Sequence, residues 1–441
     1  MNIREIVLDM LLELSKSGTY CHLLMRDVLN KYNYLEQRDK AFIKKVTEGV
    51  VERKIELDYV INQFSNTKVN KLKPLIREVL RMSIYQILYM EQVPDSAVCN
   101  EAVKLVEKRK FHNLKGFVNG VLRNIARNKE NVTYTGISVK YSMPQFLVDR
   151  LMEVYDKETV ESILKAFLCE KPVSVRIKES LSNERKEAII LEMQNAGIEV
   201  VKHPYLSYAY ELKKAEGLNN IDSFIEGEFT VQDVSSMLVA ECAEIRENMT
   251  VLDLCAAPGG KSMHIAEKLN GTGKVYSFDV SERKTEYIEE NIERLGYHNV
   301  EVAVNDGTVF NETLIEKGDV VIADVPCSGI GVIGKKCDIK YRINEEEISN
   351  IVSLQKKIME NAWKYVKRGG ILIYSTCTIS RDENEEMVKW LTQNTPLKLE
   401  SLDAYLPTTL LSDTTKEGYL QLLPGIHECD GFFIARLKRE D

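Results

Sequence analysis

The chain has 441 residues, of which 44% are hydrophobic and 29% charged, and its formal net charge is -8. This length and composition exclude global disorder and predict roughly three domains, while the acidic balance excludes a uniformly basic nucleic-acid coat. The charge is uneven, because residues 1–130 carry 23 Lys and Arg against 16 Asp and Glu, a net of +7, and the remainder is net -15. A basic N-terminal part can contact phosphate, although a solvated helical surface is the simpler explanation on charge alone.

The first 18 residues contain charges within their apolar stretch, which predicts an amphipathic helix rather than a signal peptide. No uncharged run reaches membrane-spanning length. The nine cysteines show neither a CxxC pair nor zinc spacing, so we expect reduced thiols, no metal site and a cytoplasmic protein. Most of these thiols are expected to be small buried hydrophobic groups, so that only one or two can carry chemistry.

Four regions follow one another along the chain. Apolar residues at helical spacing predict an all-α domain over 1–130, and 131–145 lacks periodicity and is predicted as a linker. Region 146–230 mixes two strand patterns with a helix ending at Gly197 and is predicted as a small α/β subdomain. From 231 to 441 strands alternate with helices, which predicts an α/β domain with a mostly parallel, Rossmann-like sheet.

Polar or reactive residues follow five predicted strands of this last region. They are Cys255–Lys261, Asp279, Asn305 with Asp306, Asp324 with Cys327, and Cys377. Ligands of open parallel sheets bind at the carboxyl ends of the strands, so these residues together predict an active site.

The first of these loops reads DLCAAPGGKS, with Gly259 and Gly260 allowing a tight turn between strand and helix. It has neither the GxGxxG pattern of dinucleotide enzymes nor the spacing of a P-loop. Asp279 lies where an acidic residue accepts hydrogen bonds from ribose hydroxyls, and Asp306 is within reach of an adenine. The sequence therefore predicts a nucleoside cofactor.

Two cysteines, Cys327 in DVPCSG and Cys377 in STCT, follow apolar strands that should open on the same crevice. A lone cysteine in such a place is usually structural, but two that converge on a cofactor site favour catalysis. A thiol attacks as its thiolate, which a following helix or a nearby cation stabilises. The polar run after Cys377 is predicted to begin such a helix, with Ser380 as its cap.

Together, CAAPGGK, DVPCSG and STCT resemble the RsmB/NOP family of RNA 5-methylcytosine methyltransferases, and QDVSS, QLLPG and DGFFIARL fit the same pattern. The N-terminal region is similar to the NusB fold, for example at Asn100–Val103 and Phe117–Asn119. The resemblance covers nearly the whole chain. It implies methylation of small-subunit (16S) ribosomal RNA by a monomer that binds RNA but neither DNA nor a membrane.

The resemblance also implies roles for single residues. S-adenosyl-L-methionine would lie on Cys255, Ala256, Ala257, Pro258, Gly259, Gly260 and Lys261, with Asp279 at the ribose and Asp306 at the adenine. Cys377 would attack carbon 6 of cytosine, and Cys327 would assist product release. Asp324 would contact either the base or the cofactor, and these two roles stay open.

Carbon 5 of cytosine is a poor nucleophile, so covalent addition makes its methylation easier, and an unpaired cytidine is the expected target. Arg176 and Lys178 are expected to face this RNA, and the segment after DVPCSG, with Lys335 and Lys336, is expected to touch it. Cys337 in that segment is expected to be structural. Methylation of tRNA or another RNA is an alternative, as is a non-catalytic RNA-binding assembly factor. An adenine or guanine N-methyltransferase lacks support, because DVPC does not match the motif such enzymes carry.

Overall fold

A computed structural model describes residues 2–441 of the chain. They form two compact units: one contains the residues up to Cys169 and Ile333–Arg342, and the other contains Glu170–Val332 and Ile343–Asp441. Among the described residues, the search for a helix with the length and apolar character needed to cross a membrane finds none.

The first unit is helical, as predicted. Pro74 begins the central helix at a position where its missing N–H costs nothing, and that helix is buried along most of its length. The unit's helices are α1 Ile3–Ser17, α2 Cys21–Lys31, α3 Gln37–Glu52, α4 Lys54–Phe64, α5 Pro74–Tyr89, α6 Asp95–Lys108, α7 Lys115–Asn128, α8 Ile137–Lys140, α9 Gln145–Val154 and α10 Lys157–Phe167.

The helical unit extends beyond the predicted boundary at residue 130. The predicted linker contains α8 and is held against α4, because the Ser142 hydroxyl accepts the N–H of Ile55 at 3.1 Å and the Tyr134 hydroxyl donates to Glu56 at 2.6 Å. Helices α9 and α10, which the sequence analysis placed in the small α/β subdomain, fold with the helical unit. The small subdomain therefore begins at about residue 170 and not at 146.

The ten-residue segment Ile333–Arg342, which follows the DVPCSG motif, also belongs to the helical unit. Asp338 accepts the N–H of Cys21 at 3.0 Å, Lys340 donates to the carbonyl of Glu52 at 2.6 Å, and Arg342 donates to the carbonyl of Gly18 at 2.6 Å. Cys337 is buried beside them, as expected of a structural thiol. Most of this segment is thus an internal part of the unit, although Lys335 and Lys336 stay exposed.

The second unit contains two sheets. Its strands are β1 Val173–Ile177, β2 Glu199–Lys202, β3 Ala209–Lys213, β4 Phe229–Val231, β5 Thr250–Asp253, β6 Lys274–Asp279, β7 Val300–Val304, β8 Gly318–Asp324, β9 Val366–Thr376, β10 Leu397–Leu399, β11 Tyr419–Leu422 and β12 Phe432–Arg439. Its helices are α11 Asn183–Asn195, α12 Asp222–Ile225, α13 Val234–Cys242, α14 Gly260–Lys268, α15 Glu282–Leu295, α16 Glu345–Tyr365, α17 Glu385–Asn394 and α18 Asp413–Glu417.

The small sheet has the antiparallel order β2-β3-β1-β4. The two predicted cations, Arg176 in β1 and Lys178 just after it, have partners within the protein. Arg176 is only 1% exposed and pairs with Glu267 and Gln232, and Lys178 donates to the carbonyl of Leu295 at 2.8 Å. The expectation for Arg176 was wrong, because a strand pattern alone does not show which face is covered, and for the half-buried Lys178 it stays a prediction.

The large sheet has the order β10-β12-β9-β8-β5-β6-β7, with β11 paired to β12. Strands β5 to β9 are parallel, which confirms the predicted architecture, and β10 to β12 add an antiparallel edge. In β8, the run from Val320 to Ala323 is apolar and buried at every position, as expected for a strand covered on both faces. The candidate site lies at one edge of this sheet.

Candidate active site

The parallel strands bring the predicted residues to one edge of the large sheet. Asp324, the last residue of β8, stands opposite Ser375 of β9 in the strand register. Asp253 ends β5, and Asp279 ends the neighbouring β6. Side chains that are far apart in the sequence thus meet at the carboxyl ends of four strands.

The loop between β5 and α14 requires glycine at residue 259. Gly259 has φ of 102°, and a Cβ there would lie 3.2 Å from a methyl group of Ile288. Helix α14 begins directly after it, and the first-turn N–H groups of a helix lack carbonyl partners within the helix. The buried carboxylate of Asp279 accepts the N–H of Ala257 at 3.0 Å and pairs with Lys284 at 2.9 Å. A direct hydrogen bond therefore joins the loop to this carboxylate.

Asp253 is a buried carboxylate that the sequence analysis missed. Its Oδ2 accepts the hydroxyl of Ser262 at 2.6 Å, and Ser262 in turn accepts the hydroxyl of Ser277 at 2.8 Å. Its Oδ1 has no partner among the described residues. Burial raises the pKa of Asp253 to about 6. An aspartate at the end of a strand, followed nine residues later by serine, is a faint signal that could have marked it.

We expect Asp253→Asn to remove a pH dependence of stability. Because folding raises this pKa from 3.8 to about 6, Asp253 adds stability that is complete below pH 3.8 and is lost as the pH rises through 6. The free energy of unfolding of the wild type should fall relative to the variant by about 2 kcal/mol between pH 4 and 7.5. Urea unfolding followed by tryptophan fluorescence measures this, since Trp363 and Trp390 both lie in the second unit.

Asp306→Asn is the matched control for that measurement. Asp306 is exposed, and hydrogen bonds from the hydroxyl and N–H of Thr308 lower its pKa. The contribution of Asp306 to the free energy of unfolding should therefore change with pH in the opposite direction, and it should be lost as the pH falls. An equal response of the two variants would contradict the assignment to Asp253.

The two predicted cysteines lie side by side. The sulfurs of Cys327 and Cys377 are 3.2 Å apart, and both residues are half-buried and outside any disulfide. The hydrogen bond to Cys377, together with burial, raises the pKa of Cys327 well above its ordinary value. Cys327 is therefore the thiol expected to keep its proton, and it can serve as the hydrogen-bond donor to Cys377.

A partly buried ion pair lies beside the thiols. Lys261 donates to Asp324 at 2.6 Å, and the hydroxyl of Ser375 donates to the other oxygen of Asp324 at 2.8 Å. Burial opposes the charge of Lys261, but Asp324, with smaller contributions from Asp253 and Cys377, outweighs it and raises the pKa of this lysine. The same attraction acts in reverse, so the ammonium favours the thiolate of Cys377. Two adjacent thiols and a cation held by Asp324 thus share one edge of the sheet.

Comparison with known proteins decides the family. Residues 240–438 match the 16S rRNA methyltransferase RsmB/F family, and residues 1–127 match the NusB family. The chain is 35% identical to the probable ribosomal RNA small subunit methyltransferase B of Bacillus subtilis (strain 168), over all of this chain and 99% of the relative. The chain belongs to the RsmB/F methyltransferase family. It is therefore an enzyme, and the predicted family and NusB-like region are confirmed.

Solved structures show the same fold. The crystal structure of PH0851 aligns with a TM-score of 0.79 over 100% of this chain and 99% of that chain, at 24% identity. The structure of NSun6 from Pyrococcus horikoshii with SFG aligns with a TM-score of 0.58 over 68% of this chain and 98% of that chain, at 23% identity. These likenesses support the fold of this methyltransferase and say nothing further about its substrate.

The helix predicted directly after Cys377 does not begin there. Residues 381–384 form a turn, and α17 starts at Glu385, with Asn384 and not Ser380 at its N-cap position. The turn is held by Asn384, whose side chain accepts the hydroxyl of Thr376 at 2.6 Å and donates to the carbonyl of Thr378 at 3.0 Å. The expected cap was wrong, and in this methyltransferase Lys261 supplies the positive charge beside the thiols instead.

A buried glutamate that the sequence analysis missed joins the two cysteine loops. Glu383 accepts the N–H of Ser328 at 2.8 Å and the side-chain amide of Gln355 at 3.1 Å. The hydroxyls of Ser328 and Thr378, each next to one of the two cysteines in sequence, are 2.7 Å apart. Burial raises the pKa of Glu383. Its ENE sequence context looked like an ordinary polar helix start, which is why it was overlooked.

We expect Glu383→Ala to slow the reaction of Cys377 by about 10²-fold, because a displacement of about 1 Å between reacting groups has that cost. Glu383→Gln should retain most of the rate, since its amide oxygen can still accept the N–H of Ser328. Single-turnover methylation at saturating RNA and cofactor measures both. Equal rates for the alanine and glutamine variants would contradict a positioning role.

His264 of α14 is fully buried against Tyr208. Its ring lies close to the carboxylates of Glu179 and Glu241, a set whose atoms could hold a metal ion. The ammonium of Lys268 already lies 3.4 Å from Glu179 and 2.8 Å from Glu241. These carboxylates therefore have a cation of their own, and we assign the cluster to the packing of this unit.

Proposed function

We propose that the protein transfers a methyl group from S-adenosyl-L-methionine to carbon 5 of an unpaired cytidine in small-subunit ribosomal RNA. The observation that carries this proposal is the pair of sulfurs of Cys327 and Cys377, 3.2 Å apart and next to the Lys261–Asp324 ion pair. Methylation of an exocyclic amine needs no such thiols, whereas methylation of carbon 5 gains from a covalent adduct. The Bacillus subtilis relative is named for small-subunit ribosomal RNA, which supports this substrate.

The residues at the strand ends fit S-adenosylmethionine. The free N–H groups at the start of α14 suit its carboxylate, and the unpartnered buried oxygen of Asp253 suits its ammonium group. Asp279 suits the ribose hydroxyls, and Asp306 suits the adenine. When bound, the cofactor supplies an electrophilic methyl group on a sulfonium. The relative solved with SFG belongs to the same fold.

Cys377 is the proposed nucleophile. Its thiolate, favoured by Lys261, forms a bond to carbon 6, and the electron pair of the ring double bond makes carbon 5 nucleophilic toward the methyl group. We assign Asp324 to the edge of the base and not to the cofactor. The reason is that its carboxylate accepts a hydrogen bond from Ser375, which lies two residues before Cys377 in sequence. Asp324 itself lies three residues before Cys327.

Cys327 is the proposed base for product release. Its pKa is raised by the hydrogen bond to Cys377, by burial and by the charge of Cys377. Once the sulfur of Cys377 is bonded to carbon 6, that charge is gone and the pKa of Cys327 falls. Its thiolate, having lost its proton to water, then takes the proton from carbon 5. The carbon 5–carbon 6 double bond forms again, and Cys377 leaves as a thiolate.

The direct test is methyl transfer from labelled S-adenosylmethionine to an unmodified small-subunit ribosomal RNA transcript, followed by nucleoside analysis. We expect label in 5-methylcytidine. Label in 5-methylcytidine of tRNA alone would show that tRNA is the substrate. Label in a nucleoside methylated on an amine would reject the mechanism. The cytoplasmic location and the monomeric state inferred from the sequence stay predictions.

A further inference from the structure

Two stretches of the helical unit contain no acidic residue. Residues 64–77 carry four Lys and Arg, residues 108–129 carry seven, and neither stretch has an Asp or Glu, although the chain has 67 acidic residues in all. Such a concentration of one charge in an acidic protein marks a surface where the local potential is positive.

The fold places these stretches side by side. The side-chain amide of Asn124 in α7 donates to the carbonyl of Phe64 at 3.4 Å, and the ammonium of Lys73 lies 5.1 Å from the ring centre of Phe111. Phe64 therefore lies beside α7, and Lys73 lies beside Phe111, which precedes α7 in the chain. We call the exposed side of residues 64–77 and 108–129, which include α7, the α7 basic face.

Six cations of this face are exposed and, within residues 2–441, make no ion pair or side-chain hydrogen bond. They are Lys68, Lys71, Lys73, Lys110, Arg123 and Arg127. The remaining five cations of the two stretches are paired with carboxylates, for example Lys115 with Glu107 at 2.9 Å. More than half of the positive charge thus has no counter-charge in the protein.

The exposed side of α7 also carries two glycines. Gly116, Gly120, Arg123 and Arg127 follow at i, i+4, i+7 and i+11, which is the face opposite the buried Val118 and Ile125. A Cβ at either glycine would meet nothing within 4 Å, so packing does not require glycine there. Glycine weakens an exposed helix, and its use at two positions on this line leaves the backbone open to close approach.

We propose that the α7 basic face binds the phosphate backbone of the substrate RNA, outside the target cytidine. RNA fits this face better than a membrane or the apolar surface of another protein. The reason is that residues 64–77 and 108–129 expose no large apolar side chain. Lysine, arginine and asparagine are the side chains that most often contact phosphate. This inference rests on the proposed function only in taking RNA as the substrate.

The test neutralises two cations at a time. Arg123→Gln with Arg127→Gln is compared with Lys44→Gln with Lys45→Gln, a control of equal charge on exposed positions of α3. Affinity for an unmodified small-subunit ribosomal RNA transcript is measured by filter binding at several salt concentrations. We expect the arginine pair to weaken binding about tenfold and to reduce the slope of log affinity against log salt by about 1.4 to 1.8, the value for two phosphate contacts.

Cofactor affinity and the single-turnover rate at saturating RNA should be unchanged in both pairs. Equal losses in the arginine and lysine pairs would show a net-charge effect and overturn the proposal. If the wild type makes no 5-methylcytidine but the arginine pair alone loses RNA affinity, the proposed reaction fails and this inference stands.

A second variant, Gly116→Gln with Gly120→Gln, excludes misfolding as an explanation. Glutamine is a better helix former than glycine, so the melting temperature should rise. RNA affinity should nonetheless fall by at least about fivefold, because the side chains block the approach of the backbone. Unchanged RNA affinity in this more stable variant would overturn the proposal.

Discussion

Replacing Cys377 with alanine should lower the single-turnover rate of methylation by at least about 10⁴-fold, the loss typical of removing a catalytic nucleophile. Without this thiolate no bond forms to carbon 6, and carbon 5 stays a poor nucleophile. The affinity for S-adenosylmethionine should change little, because the proposed cofactor residues lie on β5 and the loop after it, on β6 and after β7, whereas Cys377 follows β9.

Cys169→Ala is the control, since this thiol is exposed and free. It should retain the wild-type rate. Methylation by the Cys377→Ala variant at more than about a tenth of the wild-type rate would reject Cys377 as the nucleophile.

Replacing Cys327 with alanine should have a different effect. Bond formation at carbon 6 and methyl transfer need only Cys377, but removal of the carbon 5 proton loses its base, so steady-state turnover should fall by about 10² to 10⁴-fold. The protein should accumulate as a covalent complex with RNA, visible as a slow band on a denaturing gel. Its formation should require both RNA and the methyl donor.

The double variant Cys327→Ala with Cys377→Ala should form no such band. Absence of the band in the single variant, with Cys377 still essential, would remove the release role. A band that persists in the double variant would place the covalent bond on another residue.

Sequence patterns predicted the large sheet well, because each buried strand is followed by a residue type with distinct chemistry. The loop Cys255–Lys261, Asp279, Asp324 and the two cysteines all lie at the strand ends where the order of elements put them. Parallel strands force this result, since their carboxyl ends share one edge.

Other features depend on contacts that the local sequence does not encode. Arg176 has the character of a surface cation, yet Glu267, 91 residues later, makes it a buried partner. Glu383 and Asp253 have the same local appearance as solvated acids, and only the fold shows that they are enclosed. The helix expected after Cys377 is displaced by hydrogen bonds of Asn384, which compete with helix formation.

The most direct test of the central claim is to map the covalent bond. RNA that carries 5-fluorocytidine cannot lose a proton from carbon 5 after methyl transfer, so the adduct should persist. Mass spectrometry of the digested complex should find the methylated nucleotide on the peptide that contains Cys377, and not on the peptide that contains Cys327. A bond at Cys327, or 5-methylcytidine formed from ordinary RNA without any adduct on 5-fluorocytidine RNA, would contradict the mechanism.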